Sequence, residues 1–479
     1  MKRLFYFLLV FTAIFVLSYN VWYFTLRQAK APAWQEVLLR GGILIDGSGG
    51  EPYKADLLIR GSRIVAVGKG LKPSPGARVI DVSGSLLVPG IVATWPGLLP
   101  TEQEQEEFAA AGVTTIIGGV DGNSPLDVKR YLNWAARSGL RINFGTLLGM
   151  GSLRGIMPTP GQIRPADASA LREGIKKGLS EGAVGLSLDF NELPDAFWSW
   201  EEIEEVCGDL HPVPLLVVNF SDEVYSGADG LLPALQALRK AAAATPFRPY
   251  LKSLRLPKGT LASEIRAIQE ELKHASPTGV QIYGDLDPFP LAGRPRYLFD
   301  TAVGRFHPED LIIAKTPPAL RHLVGKRLAE AAKERGLPVP AMIQQLLGKA
   351  IQVEVEDTGG EAALAAAPFF CWQAGYGSQQ EEKEHLVDPV NYMKLLGQED
   401  GYFGRLPLPE KVSRLTSLPA RLFGLQGRGR IAVDYYADLL VLKKRGSGYA
   451  PDYVFINGRP AVIKGHITGF KAGHVLAKR

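Results

Sequence analysis

Eight short apolar runs, most of them separated by helical patterns, fill the middle of this chain: Leu87–Trp95, Gly112–Gly119, Ile142–Leu148, Ala183–Leu188, Pro214–Phe220, Pro249–Leu254, Val280–Tyr283 and Phe369–Trp372. A strand buried on both faces reads as a continuous apolar run, and returning to a parallel neighbour takes a helix-length crossover. Leu232–Ala243 and Glu264–His274 have the helical pattern such crossovers need. Eight such units predict an α/β fold with a closed (β/α)8 TIM-like barrel; a doubly wound open sheet is the structural alternative. In a barrel the chemistry sits at the C-terminal ends of the strands, so those positions carry the functional reading.

Shorter alternating runs lie outside this middle. Val37–Leu39, Ile43–Ile45, Ala55–Ile59 and Ile64–Val67 are separated by Gly41-Gly42, Asp46-Gly47 and Gly49-Gly50, an antiparallel pattern. Ala437–Leu442, Tyr453–Ile456 and Ala461–Ile463 close the chain, with Asn457-Gly458 as a type I′ hairpin signal. These ends predict one discontinuous small β-sandwich domain from 36–86 and 426–479, around a barrel at 87–425. Residues 1–35 read as a membrane anchor and linker.

The anchor expectation rests on the apolar stretch from Leu4 to about Leu26, preceded by Lys2 and Arg3 and ending near Trp22, Tyr23 and Phe24. Its length suits a transmembrane helix better than a signal-peptide core, and the aromatics suit an interfacial belt. A cleaved signal ending near Ala29-Lys30-Ala31 and a buried helix stay open. The basic start favours the body outside the cytoplasm, on the periplasmic or extracellular side.

A formal charge of +5 on 479 residues is slight, and no basic run carries interleaved aromatics, so nucleic acid is not an expected partner. Cys207 and Cys371 form no CxxC pattern and no disulfide framework.

Leu38–Asp46 (LLRGGILID), Ala55–Gly68 (ADLLIRGSRIVAVG) and Leu87-Val88-Pro89-Gly90 resemble the opening of amidohydrolase-superfamily proteins. Gly112–Thr115 (GVTT), Gly151–Arg154 (GSLR), Glu181–Ser187 (EGAVGLS), Leu415–Leu425 (LTSLPARLFGL) and Val454–Gly458 (VFING) narrow the resemblance to the N-acyl-D-amino-acid deacylase branch. It runs from about Glu36 to the C-terminus. The resemblance implies a hydrolase of non-peptide C–N bonds that uses zinc.

Position by position, the family's metal ligands are substituted. The HxH pair after Pro-Gly reads Trp95 and Gly97, and the cysteine after strand two reads Asp121. The histidine of the turn after strand three reads Met150; those of strands five and six read Asn219 and Ser253; the strand-eight aspartate, ligand and general base, reads Gln373. None of the seven histidines ends a proposed strand. A zinc hydrolase needs about three protein ligands and an open position. The expectation is therefore no metal cofactor, with Trp95 as an aromatic plug in the vacated space.

Other constellations have two readings each. Asp285 and Asp287 share a strand face and, with Asp121 or Asp189, could form an oxygen-only site or an acid/base pair; an inherited structural role is the alternative. Gly178–Gly182 spells GxSxG, but it lies at the end of a helix and before a strand, where no nucleophile elbow forms. Cys371 is a nucleophile only with a base such as His385, and otherwise a buried thiol. Arg154 binds an anion or makes an ion pair. Asn219, Ser253, Arg255 and His385 complete the candidate binding set, with Asp121, Asp285, Asp287 and Gln373 as candidate or vestigial catalytic positions. The functional expectation is a membrane-anchored pseudoenzyme that binds an amide or amino-acid-like ligand or acts as a scaffold; the alternative is an active amidohydrolase with a rebuilt site.

Overall fold

The computed structural model describes residues 34–477 except 158–162, 212, 227–229, 246, 255, 257–261, 274–279, 287–295, 301–302, 304–310, 356–369, 373–389, 398–405 and 447. The barrel strands are β1 (Ile91–Trp95), β2 (Val113–Gly118), β3 (Asn143–Thr146, resuming at Leu148–Gly149), β4 (Leu186–Asp189), β5 (Leu215–Asn219), β6 (Arg248–Leu251), β7 (Tyr283–Leu286) and β8 (Phe370–Trp372). Every pairing between them is parallel: β1–β2–β3 form one run, and the second part of β3 begins a run through β4, β5, β6 and β7 to β8. Chain order and spatial order coincide, as the sequence pattern requires of a barrel.

Cross-strand partners separate the two faces. Ile117, Val217 and Tyr250 lie in an interior cluster that Leu418, Leu422 and Phe423 also enter. Ile116, Leu186, Leu188, Leu216 and Val218 point the other way, into the helical layer. The helices begin where caps stop the preceding loop. Thr101 closes a capping box with Glu104 ahead of Glu102–Ala110, and Ser199 does the same with Glu202 ahead of Trp200–Cys207.

Both chain ends build one β-unit. Leu86–Pro89 lies parallel to Glu36–Leu44 on one side and antiparallel to Leu439–Arg445 on the other, joining nine strands into a single hydrogen-bonded sheet. Asn457 and Gly458 both have positive φ, 47° and 75°, as a type I′ turn demands. A buried network ties this unit to the barrel: Asn143 of β3 donates to Asp438, Arg428 is ion-paired with Asp438, and Asn457 donates to Asn143 Oδ1 at 2.7 Å.

One element had no counterpart in the sequence pattern. Between β7 and β8, antiparallel strands Arg296–Leu298, Leu311–Lys315 and Gln352–Val355 pack with helices Leu328–Glu334 and Val339–Leu346 around a separate core that includes Phe299, Ile313, Met342 and Val353.

The expected membrane attachment is corrected: no helix among the described residues is long and apolar enough to cross a membrane. The stretch from Lys2 to Leu26 lies outside the described residues.

Candidate functional site

The C-terminal ends of β4 to β7 bring two polar groups together. At β4 and β5, paired in register, the Asn219 amide donates to Asp189 Oδ2 at 2.9 Å. Asp189 Oδ1 accepts the backbone N–H and the side-chain amide of Asn191 at 3.0 and 3.1 Å, and the Asn191 amide also reaches the Phe220 carbonyl. Both oxygens of this buried carboxylate are therefore engaged by protein donors.

Asp195 lies beneath it. The residue is 1% exposed; Oδ2 accepts the Asp189 backbone N–H at 2.9 Å, and Oδ1 lacks a hydrogen-bond partner among the described residues. Burial is the main reason its carboxyl is pushed up to about 8, and the charges of Asp189 and Asp121 add to it. Gly122, at φ 76°, passes so close that a Cβ there would overlap this carboxylate. Asp121 is raised by burial and by Asp189, against the backbone N–H groups of Gly97 and Asn123, which hold it down.

The second group belongs to β6 and β7. Asp285, 1% exposed, accepts the Tyr250 hydroxyl at 2.9 Å, the Ser253 backbone N–H at 2.6 Å and the Lys252 ammonium at 3.4 Å. Lys252, 5% exposed, also donates to Ser253 Oγ at 3.1 Å. Ser253 has φ 52°, a conformation that costs a non-glycine residue energy and must be held by its surroundings. The Asp285 carboxylate and the ion pair do that holding.

Beside the first group, a cavity of about 410 Å³ opens between the loops after β4 and β5, lined by Phe190, Trp200, Phe220, Val224, Ser221 and Glu223. Its size falls in the range that holds small ligands.

The remaining expected residues are dispersed. Trp95 does not plug the mouth. Its ring meets Phe108 of the helix Glu102–Ala110 edge-on at 5.2 Å, while the adjacent Thr94 pairs with interior-facing Ile117. Alternation along a strand puts neighbouring side chains on opposite faces, and Trp95 took the helical face. Gly97 has φ 75°. Met150 is buried in the helical-layer core. Arg154 is buried in an ion pair with Glu202 at 3.0 Å and stacks over Trp198. Cys207 is a buried free thiol pushed up to about 12 by burial. Arg255, Asp287, Gln373 and His385 lie outside the described residues. Sequence reading passed over Asp195, Tyr250 and Lys252. The last two are i, i+2 at a strand end, the one available signal.

No protein-family model matches the chain. It is 26% identical over 498 residues to the D-aminoacylase of Alcaligenes xylosoxydans xylosoxydans, covering 92% of this chain and 98% of that protein. A D-aminoacylase variant solved with copper chloride superposes with a TM-score of 0.70 at 23% identity, covering 92% and 99% of the two chains. The N-acyl-D-glutamate deacylase of Bordetella bronchiseptica, solved with zinc and a phosphonate inhibitor, gives 0.67 at 20%, again covering 92% and 99%. The homologues and structural neighbours of this chain are D-aminoacylases and N-acyl-D-glutamate deacylases of the amidohydrolase superfamily.

These D-aminoacylase-like neighbours correct the expectation of no cofactor, because they are described with zinc, with copper or with a binuclear metal centre. In this D-aminoacylase-like chain, no group of three or more His, Cys, Asp or Glu among the described residues is placed to hold a metal ion. Asn219 is spent on Asp189, and Trp95 faces the helices. The described residues do not fit such a centre, and no reaction step is derived through one.

Proposed function

We propose that this chain binds an N-acyl amino acid or a related small amide at the C-terminal mouth of its barrel and does not hydrolyse it by the route of its relatives. The names of the relatives support the ligand class. The observation that carries the loss of turnover is the Asn219–Asp189 hydrogen bond: a side-chain amide donor occupies a strand end and ties down the neighbouring carboxylate. An amide nitrogen that donates in this way is no metal ligand of the kind the resemblance places at that strand end. The cavity beside this pair offers apolar walls for an acyl group or a side chain. Calorimetric titration with N-acyl-D-amino acids of increasing acyl length tests the reading. Saturable binding that strengthens with acyl length supports it, and no heat with any of them overturns it.

A second reading, an amidohydrolase with a rebuilt site, is favoured by one observation. Lys252, Ser253 and Asp285 form a connected polar group at the ends of β6 and β7.

A further inference from the structure

We infer that the cavity between the loops after β4 and β5 is a subsite for an alkylammonium group. It rests on the first reading above in taking the side chain of the amide ligand as the carrier of that charge. The cavity lies behind the Asn219–Asp189 pair. Asp189 and Asn219 are the last residues of β4 and β5, and their side chains meet at the mouth. The next residue on each strand turns the opposite way. Phe220 is buried in the helical-layer core, with Phe190, Trp200, Val224 and Ala234 packed against that core. Trp200, from the helix Trp200–Cys207, and Ala234, from the helix Leu231–Ala244, line the cavity from the helical side.

Three aromatic rings line it. Phe190 and Trp200 stand 5.6 Å apart between centroids with their planes at 64°, so they form two walls set at an angle, and Phe220 borders the same space. Phe190 and Trp200 are half-buried, which leaves part of each ring open to a ligand. The face of an aromatic ring attracts a cation within about 6 Å of its centroid, most strongly when the ring is a Trp. Such walls accept neutral hydrocarbon as well, so the surrounding charges decide which group is preferred.

Those charges are negative. Among the described residues, Glu223 is the one charged side chain in the lining, and no Lys, Arg or His joins it. On the loop after β4, burial holds the Glu192 carboxyl above its usual range, and the charges of Asp189 and Asp121 add to this. Asp195 is raised by the same causes. Carboxylates thus crowd this side of the barrel and repel one another; a cation in the cavity relieves that repulsion and an anion adds to it. The helix Trp200–Cys207 begins at the cavity with its partly positive end, which Glu201 in the first turn offsets. A volume of about 410 Å³ admits a trimethylammonium group or the end of a lysine side chain.

The test is calorimetric titration of the full-length protein at low salt with two pairs of probes, each a cation and its neutral isostere. Choline against 3,3-dimethylbutanol reads a free amine. Nα-octanoyl-D-lysine against Nα-octanoyl-D-2-aminoheptanoic acid reads an ammonium carried on the side chain of the amide. The expected result is a preference of about tenfold or more for the cation in at least one pair, and the pair that shows it identifies the source. Trp200→Leu and Glu223→Gln should each reduce the preference. Glu223→Gln changes an exposed side chain without changing its size, so the fold is kept, and it should also flatten the salt dependence. Equal or tighter binding of the neutral member in both pairs overturns the proposal. So does a preference that is the same in both variants, which would place the cation elsewhere. If the two octanoyl amides bind equally and choline is not preferred, the mouth reading stands and the ammonium subsite falls. If choline is preferred and neither amide binds, the subsite stands and the mouth reading falls.

Discussion

The Asn219 side-chain amide donates to Asp189 Oδ2 at 2.9 Å, joining the last residues of two adjacent parallel strands at the mouth of the barrel. Asparagine brings a donor to a carboxylate that is 8% exposed. Truncation by Asn219→Ala leaves that oxygen without the donor. We expect a loss of about 1–3 kcal/mol, read from urea unfolding with an unchanged m-value. No change in midpoint would show that solvent replaces the amide freely.

Asp195 makes stability depend on pH. Its folded value is raised to about 8 from an unfolded value near 3.8, so the folded state holds the proton more tightly than the unfolded chain does. That contribution is fully present below about pH 4, declines as pH rises, and is gone above about pH 8. Unfolding midpoints should therefore fall between pH 5 and 8.5 in the native sequence. Asp195→Asn, neutral throughout, should be the more stable protein at pH 8.5 and should flatten most of this dependence. Parallel curves for the two proteins would contradict the assignment.

Trp95 contributes to the helical layer and not to the mouth. Trp95→Ala should cost about 3–5 kcal/mol, the usual range for emptying a buried aromatic site. The pair Trp95→His and Gly97→His should fold poorly and gain no hydrolysis. One imidazole would point at Phe108, and the other would sit at φ 75°, where a side chain is strained. Restored cleavage of an N-acyl amino acid by that double variant would sink this account of β1.

A buried ion pair of the β-unit, Arg428 with Asp438, reaches the barrel through Asn143 of β3: Asp438 also takes the Asn143 amide and the Asn457 backbone N–H. Asp438→Ala should cost about 3–5 kcal/mol, because it leaves a buried guanidinium uncompensated. Thermal unfolding of the full chain checks this, and a shift within error would mean the network is dispensable.

Much of the architecture was legible because it follows from periodicity. Two-sided burial made β2 and β5 read as apolar runs, and Asn457-Gly458 declared its own turn. The inserted unit between β7 and β8 was not legible: its strands are short, and its core forms from segments as distant as Phe299 and Val353. At the site, Asp285, Asn219 and Ser253 could be named from strand ends. How they pair could not, because the Asn219–Asp189 and Tyr250–Asp285 bonds depend on cross-strand register, which a single sequence does not state. The facing of Trp95 was misjudged for the same reason, since a shift of one residue along a strand reverses every side chain.

The central claim is that the mouth binds an amide of the relatives' substrate class without cleaving it by their route. The most direct measurement is release of free amino acid from a panel of N-acyl-D-amino acids, with zinc supplied and binding followed in the same samples. The account predicts saturable binding and no zinc-dependent release above the uncatalysed background. Multiple-turnover release of a D-amino acid that rises with added zinc would contradict it.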